Sequence, residues 1–342
     1  MAFVVLRRAI VGAVLILFLI LVAGCISQRP VASDLTTVKV AYQPTSSNGP
    51  LYIAQEEGFF ARQGIDLELV KTESTFASIP LLVSGDIAVT GGPASIAFMN
   101  AADGGAHIRL VADKGRVKPG ECTPYALMVR QDLYDAGTIR NVSGLKGKKV
   151  VSIADKDYDL SRALALGNLT YDDIDIVVMD FPSSVVAFRN GAADAGILSE
   201  PYITQAVAGG SAVVLVPAEE FIPGWGLSLF YGPEILDKDP ELGKRFMVAY
   251  LQGVRQYNEG KTARNIAVIS SYTSLDPELV NQSCWYPIAE DGIVSEAPLR
   301  DYIEWMYMNG KISRRMEADR LLDMSYVISA NRMLGNTSPA AP

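Results

Sequence analysis

The chain has 342 residues, enough for two ordinary domains, and its 49% hydrophobic and 20% charged content is that of a globular protein, which excludes disorder over its bulk. With 38 acidic against 30 basic residues the net charge is −8, a balance that argues against nucleic acid or an anionic membrane surface as partner.

At the N-terminus, Arg7 and Arg8 precede an apolar run from Ala9 to Ala23, shorter than the roughly 20 apolar residues that span a bilayer. The run ends in "VAGC", small residues directly before Cys25, and resembles the lipobox of prokaryotic lipoproteins. That resemblance implies that residues 1–24 are a lipoprotein signal peptide and that Cys25 becomes the lipidated first residue. It also implies that the protein works on the extracytoplasmic face of the cell membrane. A plain signal peptide or an uncleaved anchor is the alternative. "RRAIV" is a poor twin-arginine motif, so the general secretory route is expected. Residues 25–36 read as a flexible tether. Loss of residues 1–24 removes two arginines and no acid, taking the charge from −8 to −10.

From Val38 on, short β-rich runs alternate with helical patterns, the grammar of βαβ units around a parallel sheet. In chain order these are a strand "VKVAYQ", a single helix "PLYIAQEEGFFARQG", a strand "DLELVKT", a helix "ASIPLLVSG", a strand "DIAVTG", a helix "ASIAFMNAADGG" and a strand "HIRLVAD". A second series follows: "KKVVSIA", "DIDIVVMD", "DAGILS" and "AVVLVP" as strands, with helices "DLSRALALGNL", "SSVVAFRNGAA" and "PYITQAVAGG" between them. The repetition predicts an α/β protein of two related lobes. "YALMVRQD" and "GLSLFYG", each behind a Gly/Pro-rich loop, read as two crossings between them. Residues 37–120 and 228–335 are then a discontinuous first lobe and residues 121–227 the second, with a disordered tail at 336–342. The stripes in "DPELGKRFMVAYLQGVRQYNEG" and "APLRDYIEWMYMNGKI" read as core helices of the first lobe.

No catalytic signature emerges. His107 is the only histidine and opens a buried-looking strand, which favours a structural role. No metal-spaced cluster, phosphate loop or nucleophile elbow is present in the sequence, so no cofactor is expected. Cys122 and Cys284 remain after processing. Their spacing leaves both a disulfide and two buried thiols open.

A binding protein is the surviving class. In an open α/β sheet, ligands sit beyond the carboxyl ends of strands, so the loops to inspect are "QPTSSNG", "TGGPAS", "DKDYD", "DFPSS" and "SEPY". In "TGGPAS", Gly91 and Gly92 allow close approach or positive φ. Pro93 suits the first position of a helix whose free N–H groups at Ala94 and Ser95 would face a ligand.

The segments "GPLYIAQEEGFFARQGIDLELV", "LLVSGDIAVTGGPASIAF", "VSGLKGKKVVSI" and "FRNGAADAGILSEPYITQA", in this order behind a lipobox, resemble the solute-binding proteins of ABC importers in the nitrate, taurine, alkanesulfonate and thiamine-pyrimidine precursor group. The resemblance implies a type II periplasmic-binding fold, a monomeric binder without enzymatic activity, and delivery of a small molecule to permease and ATPase subunits. Residue by residue, it carries the ligand loops onto Ser47, Asn48 and Gly49, onto Thr90, Gly91, Gly92 and Ser95, and onto Glu200 and Tyr202. Asp157 and Ser183 are added from the second-lobe loops, and Trp225 as a ring able to stack on a planar ligand. The acidic "DKDYD" loop departs from the glycine- and serine-rich pattern of the family. With Glu200 it favours a ligand bearing donor groups, such as an aminopyrimidine, over a sulfonate or nitrate; the same acids would equally serve to cap the following helix. Rivals are an enzyme on the same fold, of pyrimidine-synthase or menaquinone-pathway type, and a sensory binding module.

Overall fold

In the computed structural model, residues 35–154 and 158–335 are described; the expected signal peptide, Cys25, most of the expected tether, Asp157 and residues 336–342 lie outside them. Strand β1 (Thr36–Tyr42) buries Val38 and Val40 at every second position, as a period-two pattern requires. It pairs in parallel with β2 (Ile65–Lys71) and β3 (Val89–Gly92), and β4 (Arg109–Arg116) completes the first βα series. A second series holds β5 (Tyr125–Arg130), β6 (Lys149–Ser152), β7 (Asp175–Val178), β8 (Ala195–Ser199) and β9 (Ala212–Pro217), and β10 (Gly226–Tyr231) follows.

The strands form two five-stranded sheets of the same design. One runs β2-β1-β3-β10-β4 and the other β7-β6-β8-β5-β9. In each, the fourth strand is antiparallel to both neighbours and arrives by a crossing: β10 lies between β3 and β4, and β5 lies between β8 and β9. The run Ala126–Val129 explains the second insertion. Its side chains are fully buried on both faces, so it belongs inside a sheet covered on two sides. The crossings run side by side, with Val117 N donating to Trp225 O (2.8 Å) and Gly224 N donating to Val117 O (3.1 Å).

Helices α1 (Gly49–Glu56), α2 (Phe59–Arg62), α3 (Thr75–Ser84) and α4 (Ile96–Asp103) connect the first sheet. The single helix expected from Pro50 to Gly64 is broken into α1 and α2, because Gly58 adopts φ +69° between them. The second sheet carries α5 (Gln131–Asp135), α6 (Tyr158–Ala165), α7 (Phe181–Asn190), α8 (Tyr202–Ala208) and the short α9 (Ala218–Phe221). After β10 come α10 (Pro240–Asn258), α11 (Ala263–Thr273), α12 (Pro277–Gln282), α13 (Glu296–Met308) and α14 (Ser325–Met333). The amphipathic face of α10 packs on α1, α2 and α14, returning the C-terminal third to the first sheet. The segment after α12 covers the free edge of β4, where Arg116 N donates to Pro287 O and Asp113 N donates to Gly292 O. Among the described residues no helix is long and apolar enough to cross a membrane.

Of the two possibilities for the cysteines, the structure holds the disulfide. Cys122, in the first crossing, bonds Cys284, just after α12, with Cα atoms 5.7 Å apart. The bridge closes a span of 162 residues. Long-loop closure of this kind stabilises small domains by about 2–4 kcal/mol. Reduction, or Cys284→Ser, is expected to lower the urea midpoint accordingly; equal midpoints with and without reductant would contradict the bridge.

Candidate functional site

Beside the crossings, the carboxyl ends of strands from both sheets open into one cleft of about 1010 Å³, its mouth included. The first lobe contributes the loop after β1, the start of α3, the turn from β3 to α4, and Lys114. From the second come Ile153 and Ala154 after β6, Tyr158 and Asp159 of α6, Phe181 of α7 and Ser199 of β8. Trp225 of the second crossing, Tyr286 after α12 and Tyr302 of α13 complete the wall. Most of this lining is apolar or aromatic, with a few polar groups, as small-molecule sites usually are.

Lys114 is the group that the sequence reading missed. In the β4–β10 ladder Gly115 faces Leu227 and Asp113 faces Ser228, so Lys114 is an extra, unpaired residue in a β-bulge. Gly115 has φ +125°, a conformation open to glycine, and a bulge of this kind re-aims the neighbouring side chain. The amine turns into the cleft and donates to Ser47 Oγ at 2.7 Å. It is 2% exposed, and burial pushes its pKa down to about 7. The glycine directly after the lysine in the strand "RLVADKGR", a mark of a bulge, was the available signal.

The "TGGPAS" turn differs from expectation. Neither Gly91 nor Gly92 has positive φ; both are the end of β3, and both are needed for close packing. A Cβ on Gly91 would lie 2.7 Å from Lys114 Cδ, and one on Gly92 would lie 1.9 Å from Thr75 Oγ1. What approaches these glycines is the protein's own side chains. Helix α4 starts at Ile96 with Ser95 as its N-cap, the Ser95 Oγ accepting from Phe98 N at 3.2 Å, so Pro93 precedes the cap and does not occupy the first helical position.

Ser47, Gly91, Gly92, Ser95 and Trp225 line the cleft as expected. Asp157 lies outside the described residues, and the remaining candidates are not among the residues lining this cleft. Asn48 donates to Gln43 O (2.6 Å) and Thr45 Oγ1 (3.4 Å), knitting the loop that presents Ser47. Gly49 opens α1 against Tyr257 behind that loop, and Thr90 is buried with its hydroxyl on Ser78 Oγ at 2.8 Å. Ser183 is exposed, its N–H on the Asp180 cap, and Phe181 is what that loop sends to the cleft. Glu200 is spent: Oε2 accepts from Thr204 N (3.0 Å), and Oε1 from Thr204 Oγ1 (2.8 Å) and Cys284 N (3.1 Å). Its burial raises its pKa. Tyr202 donates to Pro44 O at 3.0 Å, a bond from one lobe to the other. His107 is half-exposed and pairs with Asp237 away from the cleft. Among the described residues no acidic, histidine or cysteine cluster suits a metal.

The Trp225 ring meets Tyr158 and Tyr302, with centroids 5.0 Å apart in each pair, and its Nε1–H has no hydrogen-bond partner among the described residues. Tyr286 OH and Ser199 Oγ are 3.0 Å apart across the lobes. Tyr302 belongs to a helical stripe that the sequence reading left to the core, and Tyr286 to the stretch before it, to which that reading gave no role.

Lys114 makes a signed prediction. Between pH 7 and about 10 the unfolded chain holds a proton that the folded amine has released, so stability rises with pH in that window and is unaffected by this group below it. The stability difference between the wild type and Lys114→Met should therefore shift in favour of the wild type by about 2 kcal/mol from pH 7 to 9. Parallel urea profiles across that range would contradict the buried amine.

The family model described as NMT1/THI5 like matches residues 45–259. No curated protein matches the sequence. Among solved structures, the ligand-binding component of an ABC-type import system from Staphylococcus aureus, with zinc bound, superposes with a TM-score of 0.72 at 15% identity, covering 87% of this chain and 99% of that one. The alkanesulfonate-binding protein SsuA from Xanthomonas axonopodis pv. citri, bound to MOPS, gives 0.70 at 19%, with 85% and 99% covered. The periplasmic nitrate-binding protein NrtA from Synechocystis PCC 6803 gives 0.72 at 15%, with 88% and 89% covered. The desulfurization enzyme DSZB shares the fold at a TM-score of 0.63 and 13% identity. These likenesses establish the two-lobed periplasmic-binding fold, and the match over residues 45–259 places the chain in the NMT1/THI5-like family.

Proposed function

We propose that the protein is an extracytoplasmic solute-binding protein, held to the membrane by lipid on Cys25, that captures a small organic molecule between its lobes and delivers it to the permease and ATPase of an ABC importer. The observation that carries this reading is the cleft itself, walled by both lobes and bridged by few direct bonds. Tyr202 to Pro44 and Ser199 to Tyr286 are neutral hydrogen bonds, each worth roughly 1 kcal/mol net. A third bond, from Cys284 N to the Glu200 carboxylate, lies beside the disulfide at the first crossing. Opening about the paired crossings therefore breaks few bonds, and a solute touching both walls supplies the difference that favours closure. The disulfide agrees with an oxidising compartment. The printed descriptions of the S. aureus, SsuA and NrtA structures support a binding role, and DSZB supplies the rival, an enzyme.

A thermal-shift screen of the full chain in mild detergent, across pyrimidines, amines, sulfonates, carboxylates and nitrate, tests the reading. One class should raise the melting point, since a ligand at 100 times its Kd adds about 2.7 kcal/mol, and should be recovered unchanged. Conversion of the compound to product would contradict it.

A further inference from the structure

Two buried donors in the cleft lack acceptors equal to them. Lys114 Nζ uses one of its three N–H groups on the neutral Ser47 Oγ and forms no ion pair with a described residue. Trp225 is 7% exposed, and its Nε1–H has no partner among the described residues. Buried charge is tolerated when something pairs with it. The nearby acids are engaged elsewhere. Asp113, next in the chain, accepts from Ala289 N at 2.6 Å and sits 3.7 Å from Arg116 Nη2. Glu200 serves Thr204 and Cys284. Asp159 stands in the first turn of α6, where the helix dipole favours a carboxylate.

We infer that Lys114 is the anion receptor of the cleft and that the solute is a flat, apolar monoanion, a carboxylate or sulfonate on an aromatic body. Its anionic oxygens meet Lys114 Nζ and Ser47 Oγ, its ring packs against the cluster that Tyr158, Trp225 and Tyr302 form at the cleft wall, and a further acceptor on it meets Trp225 Nε1. This rests on the solute-binding reading and replaces the donor-bearing ligand favoured by the acidic loop, for Glu200 is spent. The titratable groups around the amine are Asp113 and Arg116 on its own strand, Tyr286 beside β4, and Tyr125, Tyr158 and Asp159 from the second lobe. Burial raises the pKa of Asp113, Tyr158 and Tyr286, whereas that of the amine falls to about 7. Above neutrality the free amine is uncharged, and an arriving anion restores its charge, so capture takes up a proton.

Calorimetry of the full chain at pH 8, in two buffers of different ionisation enthalpy, tests this with benzoate, benzenesulfonate, benzamide and benzylamine. An anion should bind at least tenfold tighter than benzamide, with net uptake of a proton approaching one per ligand. Lys114→Met should lose at least tenfold in affinity, and the uptake with it, at an unchanged circular dichroism spectrum. Trp225→Phe, which keeps a ring and removes the N–H, provides a second variant and should bind less tightly. Preference for benzamide or benzylamine, no binding of either anion at millimolar concentration, or wild-type affinity in Lys114→Met would overturn the inference. A shift of melting point by aminopyrimidines alone would sink it and leave the solute-binding reading standing; turnover of a probe would sink that reading.

Discussion

β10 hydrogen-bonds to β3 on one side and β4 on the other, running against both, and the cleft is assembled around this pairing. Its register sets Ser228 and Leu229 against Gly92 and Gly91, and it leaves Lys114 out of the ladder. β10 enters this position from β9 of the other sheet, so the same pairing aligns the crossings and carries Trp225 to the cleft. The two glycines follow from it, because Lys114 and Thr75 occupy the volume that larger residues would need.

The second sheet repeats the arrangement with β5, and the two lobes meet through a small set of specific contacts. Tyr202 reaches Pro44, Tyr286 meets Ser199, and Glu200 receives Cys284 N–H beside the disulfide. The last two fall on the segment that covers the edge of β4. One stretch of chain therefore caps an edge strand, anchors the first crossing and lines the cleft. Rigid elements thus hold the binding groups; the disulfide fixes the lobes beside the first crossing, and away from it they meet through neutral bonds at Tyr202 and Ser199 that a ligand can replace.

Much of this architecture was legible in the sequence, since strand and helix periods are local properties. The doubled βα series and the return of "DPELGKRFMVAYLQGVRQYNEG" to the first sheet could be read from them; "YALMVRQD" and "GLSLFYG", read as the crossings, are the strands β5 and β10 to which the crossings lead. The site was legible only where the loops after strands dictate it, as at Ser47, Gly91, Gly92 and Ser95. Lys114 escaped because a bulge depends on the partner strand's register, which the chain itself does not display. Glu200 and Tyr202 misled for a related reason: their loop does end near the cleft, yet their polar atoms are consumed by Thr204, Cys284 and Pro44. Tyr286 and Tyr302 lie far along the chain from any cleft loop, and Tyr302 stands in a helical stripe of aromatic residues, which ordinarily marks core.

The account stands on a lysine amine buried at the cleft and left to be paired by what binds there. A nitrogen-15 NMR titration of the Lys114 side chain in the full chain tests this most directly. The account predicts a midpoint near 7 in the free protein. It also predicts a higher midpoint once the cleft is occupied by an anion. An ordinary lysine midpoint near 10.5 in the free protein would contradict it.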